Sequence, residues 1–336
     1  MFLCAFQGQK RSDGIGIQCW RPFFSYNVCV SRFKDSEDFK FYTGLSKDNF
    51  DILYEFLGGD EVCSQLKYRF APNTPKREKE SEHSPKDRLF MTLVRLRRGF
   101  TLKDMKLCFH LSEATLSTIF YTWIRLMSAE FKTLQRRNFV SVAKQMENPP
   151  DCYKPFPNLR CVVDCAEFVI QVPENFEQQS NTWSSYKGKC TVKFLICSSV
   201  FGGFIFCSEG AEGSISDRKL FLKSGIMDYL NTGEAIMADK GFDIEADLNA
   251  IGVELIIPAF LGQREAFTIR ELLLNKAVGA SRIHVERLNK MVKDFRLIRY
   301  QIPMTLLDIL SDMVQVCCNL VNFNDPFIRW THSDEA

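Results

Sequence analysis

Three acidic side chains stand where chemistry with a divalent metal is expected. Asp164 lies in the apolar segment CVVDC, Asp239 ends the apolar run IMAD, and Glu286 lies in RIHVER. Open α/β sheets place their chemistry at the ends of buried strands. Hard cations such as Mg²⁺ and Mn²⁺ prefer oxygen ligands, and two of them can stabilise both oxygens of a phosphodiester exchange. The three acids are therefore predicted to be the metal ligands and catalytic residues of a phosphodiester-cleaving site.

Each acid taken alone also has an ordinary structural explanation. A single Asp at a strand end often forms a turn or caps a helix. Glu286 is spaced to pair with Lys290 across one helical turn, as on any exposed helix. It also lies beside the apolar stripe of its helix, near Lys290 and Lys293, which suits a metal ligand next to a phosphate track. Spacing leaves both explanations of Glu286 open.

The elements that must position these acids follow a group of prolines at 149–157. Strands are predicted at 159–172, 191–200, 204–208, 234–239 and 253–257, and helices at 214–230, 244–250, 264–277, 281–298 and 306–321. Ser214 and Asp217 have the spacing of a capping box at the first of these helices. Three successive strands followed by alternating helices and strands predict an α/β domain, a mixed sheet flanked by helices of the RNase H-like kind.

An all-helical region is predicted before this domain. Ser46, Thr101 and Ser112 are expected to cap helices, and Gly99 to end one. The turn at His110 between two short helices predicts a helix-turn-helix, with an ordinary helical bundle as the alternative. The recognition helix would open with Thr115, Ser117 and Thr118, and the candidate phosphate contacts are Arg95, Arg97, Arg98, Lys103 and Lys106.

Charge and cysteine usage narrow the functional classes. The net charge is only +2, but residues 86–137 hold eleven Lys or Arg against four Asp or Glu, a local +7 that favours a polyanionic partner such as DNA. The thirteen cysteines form no CxxC pair, which argues against a zinc finger or a disulfide framework and favours reduced thiols inside a cell. No signal peptide is expected, and the longest mostly apolar window, 194–207, is too short to span a bilayer, so no membrane partner is predicted.

Several longer segments occur in a recognisable order. They are CVVDC, TWSSYKGKCTVKFLI, EGAEGSISDRKLFLKSGIMDYL, IMADKGF, ELIIPAFL and RIHVERLNKMVKDFR. Together they resemble the DDE-type transposases and endonucleases of the Harbinger-related superfamily, over about residues 40–325. The resemblance implies an RNase H-like nuclease with Asp164, Asp239 and Glu286 as its triad. It also implies two divalent metals that serve DNA cleavage and then joining of the new 3′-hydroxyl.

The resemblance carries further expectations about the site and its partners. Ser214, Asp217 and Lys240 would lie near the site, and Arg282, His284 and Arg287 would support the DNA or the metal cluster. The implied partners are terminal inverted repeats, a target site and further copies of the chain, in the nucleus.

The sequence departs from the family pattern in three ways. It lacks a THAP-like Cys/His set, Glu167 follows the first aspartate, and Leu-Asn-Lys follows RIHVER. A host-retained, non-catalytic DNA-binding protein therefore stays an alternative, as does a nuclease for RNA or structured DNA.

The predicted organisation has four parts. They are an irregular N-terminal segment (1–40), a helical helix-turn-helix region (41–148) with a charged linker (71–86), an RNase H-like DDE endonuclease domain (149–325) and a tail (326–336).

Overall fold

The computed structural model describes residues 29–33, 36–68 and 83–324. Most of the predicted irregular segment, most of the charged linker and the tail 326–336 lie outside these residues. Two predicted boundaries are corrected within them. A helix already begins at Ser36, inside the segment predicted to be irregular. Pro85 and Lys86 open a helix instead of ending the linker, because Ser84 and Asp87 cap it reciprocally.

The first part of the chain is helical, as predicted. Its helices are α1 (Ser36–Thr43), α2 (Lys47–Phe56), α3 (Gly59–Cys63), α4 (Pro85–Arg98), α5 (Leu102–Phe109), α6 (Glu113–Asn138) and α7 (Val142–Gln145). The side chains of Ser46, Thr101 and Ser112 cap α2, α5 and α6, which confirms the three predicted caps. Gly99 ends α4 in the left-handed region, as the sequence predicts.

The second part of the chain forms a mixed sheet with helices around it. Its strands are β1 (Leu159–Val169), β2 (Trp183–Ser184), β3 (Lys189–Ser198), β4 (Phe204–Cys207), β5 (Ala211–Glu212), β6 (Ala235–Met237) and β7 (Glu254–Ile256). Its helices are α8 (Phe176–Thr182), α9 (Asp217–Lys223), α10 (Glu245–Asn249), α11 (Ile269–Val292), α12 (Arg296–Arg299) and α13 (Leu310–Asn322). Short 3₁₀ helices lie at Val30–Arg32, Asp151–Tyr153, Ile226–Tyr229 and Met304–Ile309.

Strand β1 is the centre of the sheet. It pairs antiparallel with β3 on one side and parallel with β6 on the other. Strand β4 continues the antiparallel side beyond β3, and β7 continues the parallel side beyond β6. Strands β2 and β5 also pair with β3. Three antiparallel strands followed by two parallel ones confirm the predicted mixed α/β fold.

The helical region and the sheet domain share one hydrophobic core. Helix α6 packs along α13, and α4 packs on α12. One cluster of buried residues extends from Phe39 to Val321. The change near residue 149 is therefore a change of secondary structure and not a break in the core.

Several predicted elements differ in their bounds. The helix predicted from Ser214 begins at Asp217 with Ser216 as its cap, and it is interrupted at Gly225, where φ is +78°. The strand predicted to reach Asp239 ends at Met237. The two helices predicted on either side of residue 280 form one helix, α11, as far as Val292, and the hydroxyl of Ser281 bonds to the carbonyl of Ala277 within it. The end of the second predicted helix lies in the separate helix α12.

One helical stretch among the described residues, Met304–Asn322, is long and apolar enough to cross a membrane. The sequence analysis had pointed to 194–207 as the longest apolar window instead. Most of Met304–Asn322 is buried, and its α13 part packs against α6, α11 and β4. Core packing accounts for its apolar composition.

Candidate carboxylate site and DNA-contact surface

The pairing of two parallel strands brings the two aspartates to one edge of the sheet. Val162 of β1 lies opposite Met237 of β6, the last residue of that strand. Asp164 follows two residues later within β1, and Asp239 follows two residues later in the turn beyond β6. Parallel neighbours bring their carboxyl ends to one edge, so this register brings together two acids that lie far apart in sequence.

Asp164 is held on both of its oxygens. Oδ1 accepts the backbone N–H of Cys165 at 2.9 Å, and Oδ2 accepts the side-chain amide of Asn289 at 2.5 Å. Because side chains alternate along a strand, Val162, Asp164 and Ala166 share one face of β1. Helix α11 covers this face.

Asp239 lies in a tight turn beyond β6. Its Oδ1 accepts the N–H of Lys240 at 2.7 Å, and its carbonyl accepts the N–H of Phe242 at 3.1 Å. The carboxylate is half exposed, with 51% of the side chain open to solvent. Asp239 can therefore reach a ligand from solvent without rearrangement of the sheet.

Helix α11 brings its own polar face to the same place. Arg282, Glu286 and Asn289 follow at intervals of four and three residues, which puts them on one side of the helix. The adjacent stripe of the helix, which includes Val285 and Leu288, is buried. The guanidinium of Arg282 lies 3.0 Å from Oδ1 of Asp239 and 3.9 Å from Oε1 of Glu286.

The three acids lie within electrostatic reach of one another. Burial is the main cause that raises the pKa of Asp164 from its usual 3.8 to about 6, and the charges of Asp239 and Glu286 raise it further. The N–H of Cys165 and the charge of Arg282 act in the opposite direction. No three Cys, His, Asp or Glu side chains in the described ranges form a group that could hold a metal ion. Asp239 and Glu286 therefore both lie at Arg282, and the three carboxylates do not have the arrangement of a metal-binding group.

The predicted supporting residues do not all lie at this site. Ser214 caps no helix, since Ser216 has that role. Asp217 forms an ion pair with Lys193 of β3 at 3.1 Å. Lys193 lies opposite Glu167 of β1 in the strand register. The side chain of Glu167 is on the face of β1 turned away from Asp164. Strand alternation accounts for this, because Glu167 and Asp164 are an odd number of residues apart.

The other two supporting residues also contact groups outside the triad. His284 lies 3.4 Å from the sulfur of Cys152 and near the ring of Tyr153, almost opposite Glu286 around α11. Burial lowers its pKa, and the charge of Arg287 lowers it further. The ammonium of Lys240 lies 4.4 Å from the ring centre of Phe260 and is exposed beside Asp239.

The basic residues of α11 lie beyond the triad. Arg287 and Lys290 are exposed, and Lys293 is partly buried at the end of the helix. Burial is the main cause that lowers the pKa of Lys293, followed by the charge of Lys187, while Asp164 opposes the shift. Lys293 therefore lies within electrostatic reach of Lys187, Asp164 and Glu167.

The predicted helix-turn-helix consists of α4, α5 and α6. His110 joins α5 to α6 in the left-handed region, with φ at +52°, which agrees with its predicted place in the turn. Thr115, Ser117 and Thr118 lie partly exposed in the first turns of α6. Helix α6 continues to Asn138, well beyond a short recognition helix, and its later turns belong to the shared core.

The five predicted phosphate contacts differ in exposure. Lys103 and Lys106 are exposed on α5, and Arg97 and Arg98 are half-buried over the rings of Phe295 and Phe41. Arg95 was predicted to contact phosphate, but it is buried in the structure. It is 7% exposed, and its guanidinium lies 4.3 Å from the ring centre of Phe120. Burial lowers the pKa of Arg95 to about 10. Its packing inside the helical region leaves it no access to DNA.

Two side chains that hold carboxylates of the sheet domain were given no role by the sequence. Asn289 is one of them, and it donates a hydrogen bond to Asp164. Its spacing of three from Glu286 was the available signal, since that spacing places both on one helix face. Lys193 carried no such signal, because its partners come from β1 and α9.

Two parts of the chain match known protein families. Residues 163–322 match the family described as DDE superfamily endonuclease. Residues 84–133 match the family described as the helix-turn-helix of DDE superfamily endonuclease. Comparisons with curated proteins and with solved structures found no match. The chain thus joins a helix-turn-helix region to a DDE nuclease domain, and the two matches support a DDE transposase family.

Proposed function

We propose that this chain is a divalent-metal-dependent DNA endonuclease in which Asp164, Asp239 and Glu286 form the catalytic triad. The observation that carries the proposal is the set of contacts made by α11, where the Arg282 guanidinium lies 3.0 Å from Asp239 and 3.9 Å from Glu286 and the Asn289 amide bonds to Asp164. This convergence lies inside the region that matches DDE superfamily endonuclease. The Harbinger-related type, transposition and the joining of a 3′-hydroxyl are finer parts of the same proposal.

The donor set suits a hard divalent cation. It consists of carboxylate oxygens, and the charges of Asp239 and Glu286, which add to the effect of burial on the pKa of Asp164, are charges that a bound cation would offset. Asp164, Asp239 and Glu286 would hold Mg²⁺ or Mn²⁺. When bound, such ions stabilise charge on the attacking and leaving oxygens of a phosphodiester.

The residues of the chain have distinct tasks in this proposal. Asn289 orients Asp164, and Arg282 balances the charge of Asp239 and Glu286 before DNA arrives. Arg287, Lys290 and Lys293 line the phosphate track, where they release counterions from DNA. Lys103, Lys106 and the first turn of α6 bind a second stretch of the duplex. We further propose terminal inverted repeats as the substrate, a homo-oligomer as the active form and the nucleus as the compartment.

Cleavage of labelled terminal-repeat DNA with Mn²⁺ tests this function. Asp239→Ala and Glu286→Ala should reduce cleavage to background while both proteins still bind DNA. Asp243→Ala is the matched control, since Asp243 is an exposed acid four residues from Asp239. Wild-type cleavage by both triad variants would show that the site is assigned wrongly.

A non-catalytic DNA-binding protein is the second candidate. It is favoured by Arg282, whose guanidinium contacts Asp239 and Glu286 where a cation would compete for them. This candidate predicts salt-dependent DNA binding that Arg97→Ala and Arg98→Ala weaken, with no need for metal and no cleavage. A panel of duplex DNA, branched DNA and RNA, each with and without Mn²⁺, separates it from the nuclease and also detects an RNA-directed activity.

A further inference from the structure

A short hairpin between β2 and β3 presents an aromatic side chain to solvent. Trp183 and Ser184 pair with Cys190 and Lys189, and residues 185–188 form the turn. Tyr186 at its tip is 83% exposed. A tyrosine usually buries its ring and keeps only its hydroxyl at the surface, so a ring held this far out is an unused apolar face.

The backbone that carries this ring forms a closed turn. The N–H of Gly188 bonds to the carbonyl of Ser184 at 2.8 Å, and the N–H of Lys187 bonds to the Ser184 hydroxyl at 3.2 Å. Gly188 has a φ of +61°, which favours glycine at the point where the turn closes. Ser184 itself is buried, so the turn is anchored to the sheet.

The surroundings of the ring carry positive charge. The ammonium of Lys187 lies 4.8 Å from the ring centre of Tyr186, and Lys189 is exposed at the start of β3. Lys187 also acts electrostatically on Lys293, which in turn feels the charge of Asp164. The hairpin tip therefore presents two lysines beside the ring, and Lys187 lies within electrostatic reach of Lys293 at the end of α11.

An aromatic face flanked by lysines is the combination that binds single-stranded nucleic acid. Aromatic rings stack on unpaired bases, and lysines contact the phosphates on either side. A protein partner would gain little from Lys187 and Lys189, because charged lysines are depleted at the centre of protein interfaces. Charge complementarity thus favours a nucleic acid strand.

We propose that the hairpin tip is a base-stacking contact, in which Tyr186 stacks on an unpaired base of the DNA strand while Lys187 contacts a neighbouring phosphate. This inference rests on the proposed function only for the identity of the strand as DNA. It adds a requirement that the nuclease triad does not impose, namely an opened base pair away from the carboxylates.

Binding without divalent metal tests the contact independently of cleavage. Fluorescence anisotropy of the full chain in EDTA compares a fully paired duplex with the same duplex carrying an unpaired stretch. Tyr186→Ala should weaken binding of the unpaired DNA on the order of tenfold and leave duplex binding within about twofold. Lys187→Ala should weaken both substrates alike and reduce the salt slope by about one.

Two variants serve as controls. Tyr186→Phe keeps the ring and should bind the unpaired DNA within about twofold of wild type. Leu222→Ala removes an exposed side chain of α9, on the other side of the sheet, and should change neither affinity. Equal affinity of wild type and Tyr186→Ala for the unpaired DNA would overturn the stacking contact. A larger loss on RNA of the same sequence than on DNA would overturn the DNA assignment.

The two proposals fail in different experiments. Unchanged cleavage by Asp239→Ala would contradict the nuclease triad and would not affect the anisotropy result. Unchanged binding by Tyr186→Ala would sink the stacking contact and leave the triad untouched.

Discussion

The side-chain amide of Asn289 donates a hydrogen bond to Oδ2 of Asp164 across 2.5 Å, and this bond joins α11 to the central strand. The other oxygen of Asp164 is held by its neighbour's N–H. Oδ1 of Asn289 is buried and has no hydrogen-bond partner among the described residues. The hydrogen bond from Asn289 therefore fixes the orientation of the Asp164 carboxylate.

The first prediction concerns Asn289. Asn289→Ala removes the donor to Asp164, so the carboxylate loses its fixed direction, and Mn²⁺-dependent cleavage should fall about 10- to 100-fold. DNA binding should change little, because Asn289 faces Asp164. Asn249→Ala, on exposed α10, is the control. A loss of binding equal to the loss of cleavage would show that Asn289 contacts DNA instead of orienting the acid.

The second prediction concerns the stability cost of Asp164. Its pKa is about 6 in the folded chain against 3.8 ordinarily, so the folded state holds the proton more tightly. The resulting stabilisation is fully present below about pH 4 and is lost as pH rises through 6. Above that pH the ionised carboxylate lowers the free energy of unfolding by about 3 kcal/mol.

Asp164→Asn should remove this cost. The free energy of unfolding in denaturant, measured without divalent metal, should rise by up to about 3 kcal/mol at pH 8 and by little at pH 4. Asn289 can turn its amide so that its orphaned Oδ1 accepts from the new side chain. Asp228→Asn, at an exposed site, should shift stability at neither pH. An equal gain at both pH values would contradict the pKa assignment.

The third prediction separates packing from DNA contact in the helical region. Arg95→Ala removes a buried guanidinium from the ring of Phe120 and should lower the free energy of unfolding by about 2 kcal/mol. Lys106→Ala should leave stability within about 0.5 kcal/mol but weaken DNA binding and reduce the salt slope by about one. Melting curves and salt titrations measure the two effects. The reverse pattern would restore Arg95 as a phosphate contact.

The fourth prediction concerns the two ion pairs that Lys193 forms with Glu167 and Asp217. Lys193 has 11% of its side chain exposed and lies 3.7 Å from Glu167 and 3.1 Å from Asp217. Lys193→Ala leaves two acids without their cation and should cost about 3–5 kcal/mol. Lys223→Ala, at the exposed end of α9, is the matched control. A loss below 1 kcal/mol would mean that water replaces the lysine without penalty.

Features fixed by hydrogen bonds within a few residues were predictable. The caps at Ser46, Thr101 and Ser112 depend on a hydroxyl and an N–H three positions later, so the sequence is sufficient. The same reasoning failed at Ser214, because Ser216 offers an equivalent hydroxyl two residues on and its position relative to the sheet decides between them. Local rules also placed a helix break near Ser281 that long-range packing removed.

By itself the sequence determined the order of elements, the mixed α/β class and three acids in suitable contexts, because hydrophobic patterning and capping act over short distances. Only the tertiary structure decided which acids meet and what holds them. The parallel pairing of β1 with β6 brings Asp164 and Asp239 to one edge of the sheet, and α11 adds Arg282 and Asn289 from more than a hundred residues away from Asp164. Strand register and helix docking depend on packing across the whole core, which no local segment encodes.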